Sequence, residues 1–343
     1  MIAEWEKQSG VLFSFPGRSG DWGHQLDAAS QELANLIIAT ARFVPVIVIC
    51  GDIEWAKKYL RFIDFSTSAG SSFPGKLLPA EVLNLVHIPT NDCWIRDFGP
   101  ITTMTNGKLT LHDFRFNGWG GKFEAELDNR VSARLWASGL LGPHSMHSHS
   151  TILEGGSLET DGRGTLLTTE KCLLNRNRNP HLNKEQLSQL LKETLHINRI
   201  VWLKHGALIG DDTDAHIDTL ARFCDPTTIV YTKCRDKDDL HFEELRAMEA
   251  EIKAAFPNHN LIPIPLPLAI YDDTDGHRLP ATYANFLLTN GAVIVPTYGV
   301  STDQKTVEIL KTVFSEREVI ASPSRALIYQ HGSFHCLSCN LYS

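Results

Sequence analysis

Apolar and polar residues follow one another along this chain in short blocks, and one kind of block recurs. ITTMTNGKLTLHDF, GGSLETDGRGTLLT, DTLARFCDPTTIVYT and ANFLLTNGAVIVPTYG each read as an apolar strand, a tight turn and a second apolar strand. The turns fall at Asn106-Gly107, Asp161-Gly162, Asp225-Pro226 and Asn290-Gly291. Asn-Gly and Asp-Gly suit the two positive-φ positions of a type I′ turn, whose twist matches that of paired strands. Asp-Pro needs a different turn. Successive turns are about 55, 64 and 65 residues apart, a spacing typical of stacked or radial repeats.

Between the hairpins the period changes to that of a helix. Residues 24–42 place Leu26, Leu33, Ile37 and Ile38 near a 3.6-residue repeat, and residues 183–195, 242–256 and 303–316 do the same. Each is followed by a short apolar strand: VPVIVIC, RIVWL, NLIPIPL or REVIAS. The unit is strand, hairpin, helix, strand, repeated five times if the N- and C-terminal pieces complete one copy. A radial arrangement would cover the sheet edges and set the hairpin mouths around an axis. An ordinary α/β sheet with hairpins is the alternative. The Pro-rich IPIPLPL is too short and too apolar for a linker, so residues 1–343 are expected to form a single catalytic domain.

Composition narrows the class. With 343 residues, 43% apolar, there is ample material for a large core. A formal charge of −8 argues against nucleic acid or an anionic membrane and suits a neutral or cationic small molecule. The start, MIAEWEKQSG, lacks a basic-then-apolar signal region, and no stretch approaches the roughly 18 apolar residues of a membrane span. Seven cysteines, an odd number, read as reduced thiols in a cytoplasm.

The reactive side chains gather where strands begin. NDCWIRDFGP (91–100), LEGGS (153–157), GDDTDAHID (210–218) and YDDTDGHRLP (271–280) adjoin the four hairpins, and HGSFHCLSCNLYS (331–343) closes the chain. Blades related by rotation would bring Asp97, Glu154, His216, Asp218 and Cys336 to one axis. His216 and Asp218, two apart in an extended segment, share a face. Beside a thiol, such a histidine can serve as general acid and base while a carboxylate holds the substrate. Taken singly, H-x-D also fits a surface pair, Glu-Gly-Gly a plain turn, and NDCWIRD an Asx-turn with an Arg–Asp pair. Several acids buried together, however, call for a cationic ligand.

NDCWIRDFGP, LEGGS with DGRGTLLTT, LLNRNRNP, DAHIDTLARF and GSFHC, in that order, resemble the agmatine deiminases within the porphyromonas-type peptidylarginine deiminase family. The resemblance spans nearly the whole chain. It implies a five-bladed α/β propeller with pseudo-fivefold repeats, and hydrolysis of agmatine to N-carbamoylputrescine and ammonia without cofactor or metal. It implies Cys336 as nucleophile, His216 as general acid/base, and Asp97 and Asp218 as the carboxylates gripping the guanidinium. Glu154 matches a further acid at the amidino end, Trp94 an aromatic wall along the alkyl chain, and Asp212 the position receiving the distal ammonium. The commoner family ending GGGxxHC is replaced here by HGSFHC, which changes the local loop. The implied partner is a cationic guanidine, agmatine, with no nucleic acid or membrane; a homo-oligomer is compatible.

Rival readings have their own residues. A redox C-x-x-C needs a helix after its first thiol, yet only four residues follow Cys339. A structural zinc needs two more ligands, and no second C-x-x-C exists among Cys50, Cys93, Cys172, Cys224 and Cys234. Cys339 is therefore read as a bystander. PHSMHSHS (143–150), read as a Ser-rich loop, offers His144, His147 and His149 to a metallohydrolase with Asp211, Asp212 and Asp214. A non-catalytic amine-binding protein would keep the acids without needing Cys336. The DDTD at 272–275 echoes 211–214 with Arg278 in place of an Asp, and reads either as a non-catalytic copy or as a loop lining the site. Within the enzyme class, a deiminase of free or peptide-terminal arginine would need a cation for the substrate carboxylate, and Arg96 is the nearest one in the motifs.

Overall fold

The computed structural model describes residues 1–18, 20–60, 63–64, 78–79 and 82–343. Its strands fall into small mixed sheets, five of which repeat one plan: an antiparallel pair, then a helix, then a strand parallel to the second member of the pair. In one sheet Ile101–Thr105 and Lys108–Arg115 pair antiparallel and Ser145–Ile152 joins parallel. Glu159–Thr160, Thr165–Thr169 and Arg199–Leu203 form the next. Ala221–Asp225, Thr228–Lys233 and Asn260–Pro265 form another, and Leu287–Thr289, Ala292–Thr297 and Glu318–Pro323 a fourth.

The fifth copy is split between the ends of the chain. Ser338–Tyr342 pairs antiparallel with Gln8–Ser14, which pairs parallel with Val46–Cys50, which in turn pairs with Leu83–His87. A two-stranded ladder, Ile63–Asp64 with Leu78–Pro79, stands apart. The strand pairing thus defines a mixed α/β fold of several small sheets and stops short of closing them into a ring.

The four expected helices form at Leu26–Ala41, Lys184–Leu195, Phe242–Ala255 and Thr302–Val313. Lys184–Leu195 shows why. Asn183 and Gln186 make a reciprocal capping box, Leu187, Leu191 and Leu195 bury one stripe, and His196 ends the helix in a left-handed conformation. Two elements differ from the sequence reading. A helix at Val131–Ala137 fills the gap before residue 143. PHSMHSHS is largely strand, not loop, because Ser145–Ile152 takes its hydrogen bonds from Lys108–Arg115 with serine and histidine at the exposed positions.

The turns differ too. Asn106 (φ 51°) and Gly107 (φ 73°) have the two positive φ values expected of type I′. At 290–291 only Gly291 is positive; the Asn290 side chain instead accepts from the Gln8 N–H (3.0 Å) and donates to the Gln8 carbonyl (2.8 Å). At 161–164 the Asp161 carboxylate accepts the N–H groups of Arg163 and Thr165, both at 2.8 Å, which makes a longer loop than two residues. Asp225 accepts the Thr227 N–H at 2.7 Å, and the Asp-Pro hairpin forms.

One buried cation ties several sheets together. Arg222 is fully enclosed; it donates to Glu159 at 2.8 Å, to the Phe286 carbonyl at 2.9 Å and to Glu4 of the N-terminal segment. Removing one member of such a set strands uncompensated charge. Arg222→Leu is expected to lower unfolding free energy by about 3–5 kcal/mol, read from urea midpoints at unchanged m-value. A loss under about 1 kcal/mol would show that Glu159 and Glu4 find other partners.

Candidate active site

Site residues come from the few positions just ahead of the first strand of each repeated sheet. Asp97 precedes Ile101–Thr105, Glu154 and Gly156 precede Glu159–Thr160, His216 and Asp218 precede Ala221–Asp225, and Cys336 precedes Ser338–Tyr342. The fifth is Asn285, ahead of Leu287–Thr289. Its amide donates to Cys336 Sγ at 3.2 Å, while its Oδ1 accepts the backbone N–H of His335 at 3.0 Å. The segment 271–280, expected at this position, does not line the cavity that holds Cys336. Its acids instead bond locally, Asp272 to Thr274 N–H at 2.6 Å and Asp275 to the His277 ring.

The structure brings Asp97, Glu154, His216, Asp218 and Cys336 together. The Cys336 thiol donates to Asp218 Oδ2 at 3.5 Å. His216 Nε2 lies 2.8 Å from Glu154 Oε2, and its Nδ1 lies 3.6 Å from Asp97 Oδ1. Asp97 accepts the Gly156 N–H at 2.8 Å and the Trp119 Nε1–H at 2.9 Å. Glu154 sits one layer back: Arg178 donates to both its oxygens at 2.8–3.0 Å and to Asp214 at 2.7 Å. Two enclosed polar atoms, His216 Nδ1 and Asp218 Oδ1, have no protein partner. The first lies beside Gly156, where an added Cβ would stand 2.6 Å from His216 Nδ1, 2.8 Å from Asp97 Oδ1 and 3.1 Å from Asp218 Oδ2.

Charge follows from burial and neighbours. Burial, then the charges of Asp218 and Asp97, push the Cys336 thiol well above its usual range. Burial pushes Asp97 up to about 6, with the His216 cation opposing and Glu154 and Asp218 adding to the rise. His216 is opposed by its own burial, yet Asp97, Cys172 and Glu154 hold its pKa well above that of free imidazole. Burial would raise Glu154, but His216 and Arg178 hold it below the usual carboxylate range.

The cavity, about 470 Å³, is lined by Asp21, Asp92, Asp97 and Asp212 together with Trp94, Trp119 and the Cys336 thiol. Burial and the nearby Asp212 and Asp21 raise Asp92 to about 6, with the Cys93 N–H opposing. No lysine or arginine is among the described residues that line it. Arg96 turns away to Glu4 (3.0 Å) and Asn340 (2.8 Å), and Lys122 binds Asp214 at 3.0 Å. Trp94 packs against the C-terminal loop so closely that a Cβ at Gly332 would stand 2.4 Å from its ring. The glycine of HGSFHC is thus required by that contact.

The acids of GDDTD divide their tasks. Asp214 (φ 66°) and Ala215 (φ 70°) hold left-handed backbone, a strain of about 1–3 kcal/mol each. Asp211 holds the loop by accepting the N–H groups of Thr213 (3.0 Å) and Ala215 (2.6 Å), and Asp214 is paired with Arg178 and Lys122. Asp212 alone of the three lines the cavity. The metal reading of His144, His147 and His149 therefore loses two of its acids. Among the described residues, three metal-type donors converge only at Glu154–Cys172–His216 and at Asp272–Asp275–His277. At the first, Arg178 already occupies the Glu154 oxygens. Cys339 is buried against the Pro100 carbonyl, 3.6 Å away.

The fold is shared with an amidinotransferase of a saxitoxin pathway from Microseira wollei, which superposes with a TM-score of 0.57 at 11% identity, covering 99% of this chain and 96% of that one. Nearer matches define the family. The model for the Porphyromonas-type peptidyl-arginine deiminases matches residues 1–341, and the chain belongs to that family. Agmatine deiminase of Stutzerimonas stutzeri is 33% identical over 98% of this chain and 94% of its own. The C. jejuni agmatine deiminase C315S variant with substrate bound has a TM-score of 0.90 at 35% identity, covering 100% and 96%. A Porphyromonas gingivalis protein provisionally named an arginine deiminase has a TM-score of 0.88 at 41%, covering 99% and 97%.

Gly156→Ala would drive a methyl group between His216 and Asp97. Turnover is expected to fall by about 100-fold or more in a protein whose circular dichroism is that of wild type. Wild-type turnover would mean that the space at Gly156 is not where the substrate group sits.

Proposed function

We propose that the protein is an agmatine deiminase, hydrolysing agmatine to N-carbamoylputrescine and ammonia through a covalent Cys336 thiouronium. One observation carries this: four aspartates and a thiol line the cavity, and no lysine or arginine lines it among the described residues. Such a lining favours a ligand cationic at both ends. Asp97 and Asp218 would grip the guanidinium in its plane, using lone pairs left free by Trp119, Gly156 and His335. Trp94 would flank the alkyl chain and Asp212 would take the distal ammonium.

In the free enzyme burial, and after it the charges of Asp218 and Asp97, hold the thiol in its protonated form. A guanidinium between those neighbours offsets that opposition, so the ligand itself favours the nucleophile. Sulfur then bonds to the amidino carbon, His216 as imidazolium gives its proton to the leaving nitrogen, and ammonia departs. The neutral imidazole takes a proton from water as its oxygen attacks the same carbon, and the C–S bond breaks to return the thiol and the ureido product. Glu154, through its 2.8 Å bond, orients the imidazole throughout.

The same reading treats residues 1–343 as one catalytic domain whose five sheets stand around a pseudo-fivefold axis. Its support is the repeated sheet plan and the supply of one or more site residues from the same place in each copy. Seven unpaired cysteines suit a reducing, cytoplasmic setting.

A deiminase acting on free or peptide-terminal arginine is the second reading, favoured by the Porphyromonas gingivalis match. It would have to place a carboxylate among Asp21, Asp92 and Asp212, with a histidine, His331, as the one basic side chain among the described lining residues.

Wild type and Cys336→Ala, supplied separately with agmatine, arginine and a C-terminal-arginine peptide in chelator, decide between them. Ureido product from agmatine alone, absent in the variant, is the expected result. Turnover of arginine or the peptide would replace the substrate; no ureido product from any would end the deiminase reading.

Acidity offers a second check. Asp97, with its pKa raised to about 6, must be ionised to hold a cation, so protonation below that value removes the grip. We expect kcat/KM for agmatine to decline as pH falls below about 6. A profile flat to pH about 4.5 would show that Asp97 ionises normally or plays no part.

A further inference from the structure

We infer that His335 and Glu4 are positioning residues for Asp218: the imidazole, clamped between the two carboxylates, fixes and charges Asp218 so that its free oxygen meets the guanidinium. The inference rests on the reading of the cavity as a guanidinium site. His335 and Glu4 do not line that cavity, and Asp218 stands just behind its wall, with Oδ2 3.5 Å from the Cys336 thiol that does, so both act through Asp218.

His335 Nδ1 lies 2.7 Å from Asp218 Oδ2, and Nε2 lies 2.6 Å from Glu4 Oε1. Each ring nitrogen thus faces one carboxylate oxygen, and the imidazole bridges Asp218 and Glu4. The ring cannot turn without breaking both contacts, and Asn285 Oδ1 holds the His335 backbone N–H as well. Asp218 Oδ2 is thereby committed to His335 and the Cys336 thiol. Its other oxygen, enclosed and without a partner, is left in a fixed plane. Planar recognition of a guanidinium depends on such fixity.

The second effect is on charge. Asp218 stands with Asp97 around Gly156, where an added Cβ would lie 2.8 Å from the Asp97 carboxylate and 3.1 Å from that of Asp218. Acids so placed tend to share a proton unless a cation intervenes. Burial alone would raise Asp218, but the hydrogen bond and charge of His335, with His216 and Arg222 beyond, hold it below the usual range. Glu4 anchors the imidazole from behind. It is itself flanked by Arg96 at 3.0 Å and by Arg222, which also pairs with Glu159. The groups facing the His335 ring are therefore Asp218 in front and Glu4 behind; Arg96 pairs with Glu4 and also donates to the His335 carbonyl at 3.3 Å, and Arg222 pairs with Glu4.

The test is agmatine binding by calorimetry to Cys336→Ala protein and to the same protein carrying His335→Gln or Glu4→Gln. Two buffers of different ionisation heat at about pH 7.5 give the protons released per agmatine. Both added variants are expected to bind about tenfold or more weakly and to release up to one further proton, because Asp218 then holds a proton that the ligand must expel. Glu4→Gln keeps the shape of the side chain and serves if His335→Gln fails to fold. Unchanged affinity, or weaker binding with the parent's proton count, would overturn the inference in favour of packing alone. A parent that binds no agmatine would instead remove the guanidinium reading, and this inference with it.

Discussion

The structure depends on burying a group of carboxylates in one place without letting them neutralise themselves. Glu4, Asp97, Glu154, Glu159 and Asp218 all lie in or just behind the ground around Cys336. Each isolated charge there would be costly, and the compensating cations are just as buried. Arg178 serves Glu154, Arg222 serves Glu159 and Glu4, Arg96 serves Glu4, and two histidines complete the set. Asp97 differs from the rest. It has hydrogen-bond donors, yet the nearest cation is His216 at 3.6 Å, and its pKa is raised. The balance behind the cavity is closed; the balance facing it is open, because four aspartates line the cavity and no lysine or arginine does among the described residues.

Backbone follows charge. Gly155 passes so near the Arg96 carbonyl that a Cβ would lie 2.1 Å from it, and Gly156 gives its N–H to Asp97. The left-handed pair Asp214 and Ala215 delivers His216 to Glu154, and the strain is held by Asp211 and Arg178. Chemistry at this site is thus set as much by where the main chain can go as by which side chains it carries.

Much of this was legible in the sequence, and the failures have physical causes. Apolar blocks around Asn106-Gly107 and the stripes of Lys184–Leu195 announce their elements because local propensity and burial agree there. Ser145–Ile152 was misread because its exposed positions are serine and histidine, so no apolar alternation marks the strand. Asn285 carries no motif; only its place ahead of Leu287–Thr289, matching that of Asp97 and Asp218, could have flagged it. Arg178 lay within the quoted NRNRNP, but its pairing with Glu154 spans 24 residues and leaves no periodic trace. Glu4 gave no signal, since its partners His335 and Arg222 are 331 and 218 residues away. Long-range ion pairs are the class of contact that a single sequence hides.

The open hairpin between Gln8–Ser14 and Ser338–Tyr342 has a bearing on how the protein comes into being. Translation proceeds from Glu4 through Asp97, Glu154, His216, Asp218 and Asn285 before it reaches His335 and Cys336. A nascent chain therefore carries every acid of the cavity before it carries the thiol. The pairing of Ser338–Tyr342 with Gln8–Ser14 is what sets sulfur against Asp218 and His335 against Glu4. The thiol therefore meets the acids only when segments more than 300 residues apart have paired.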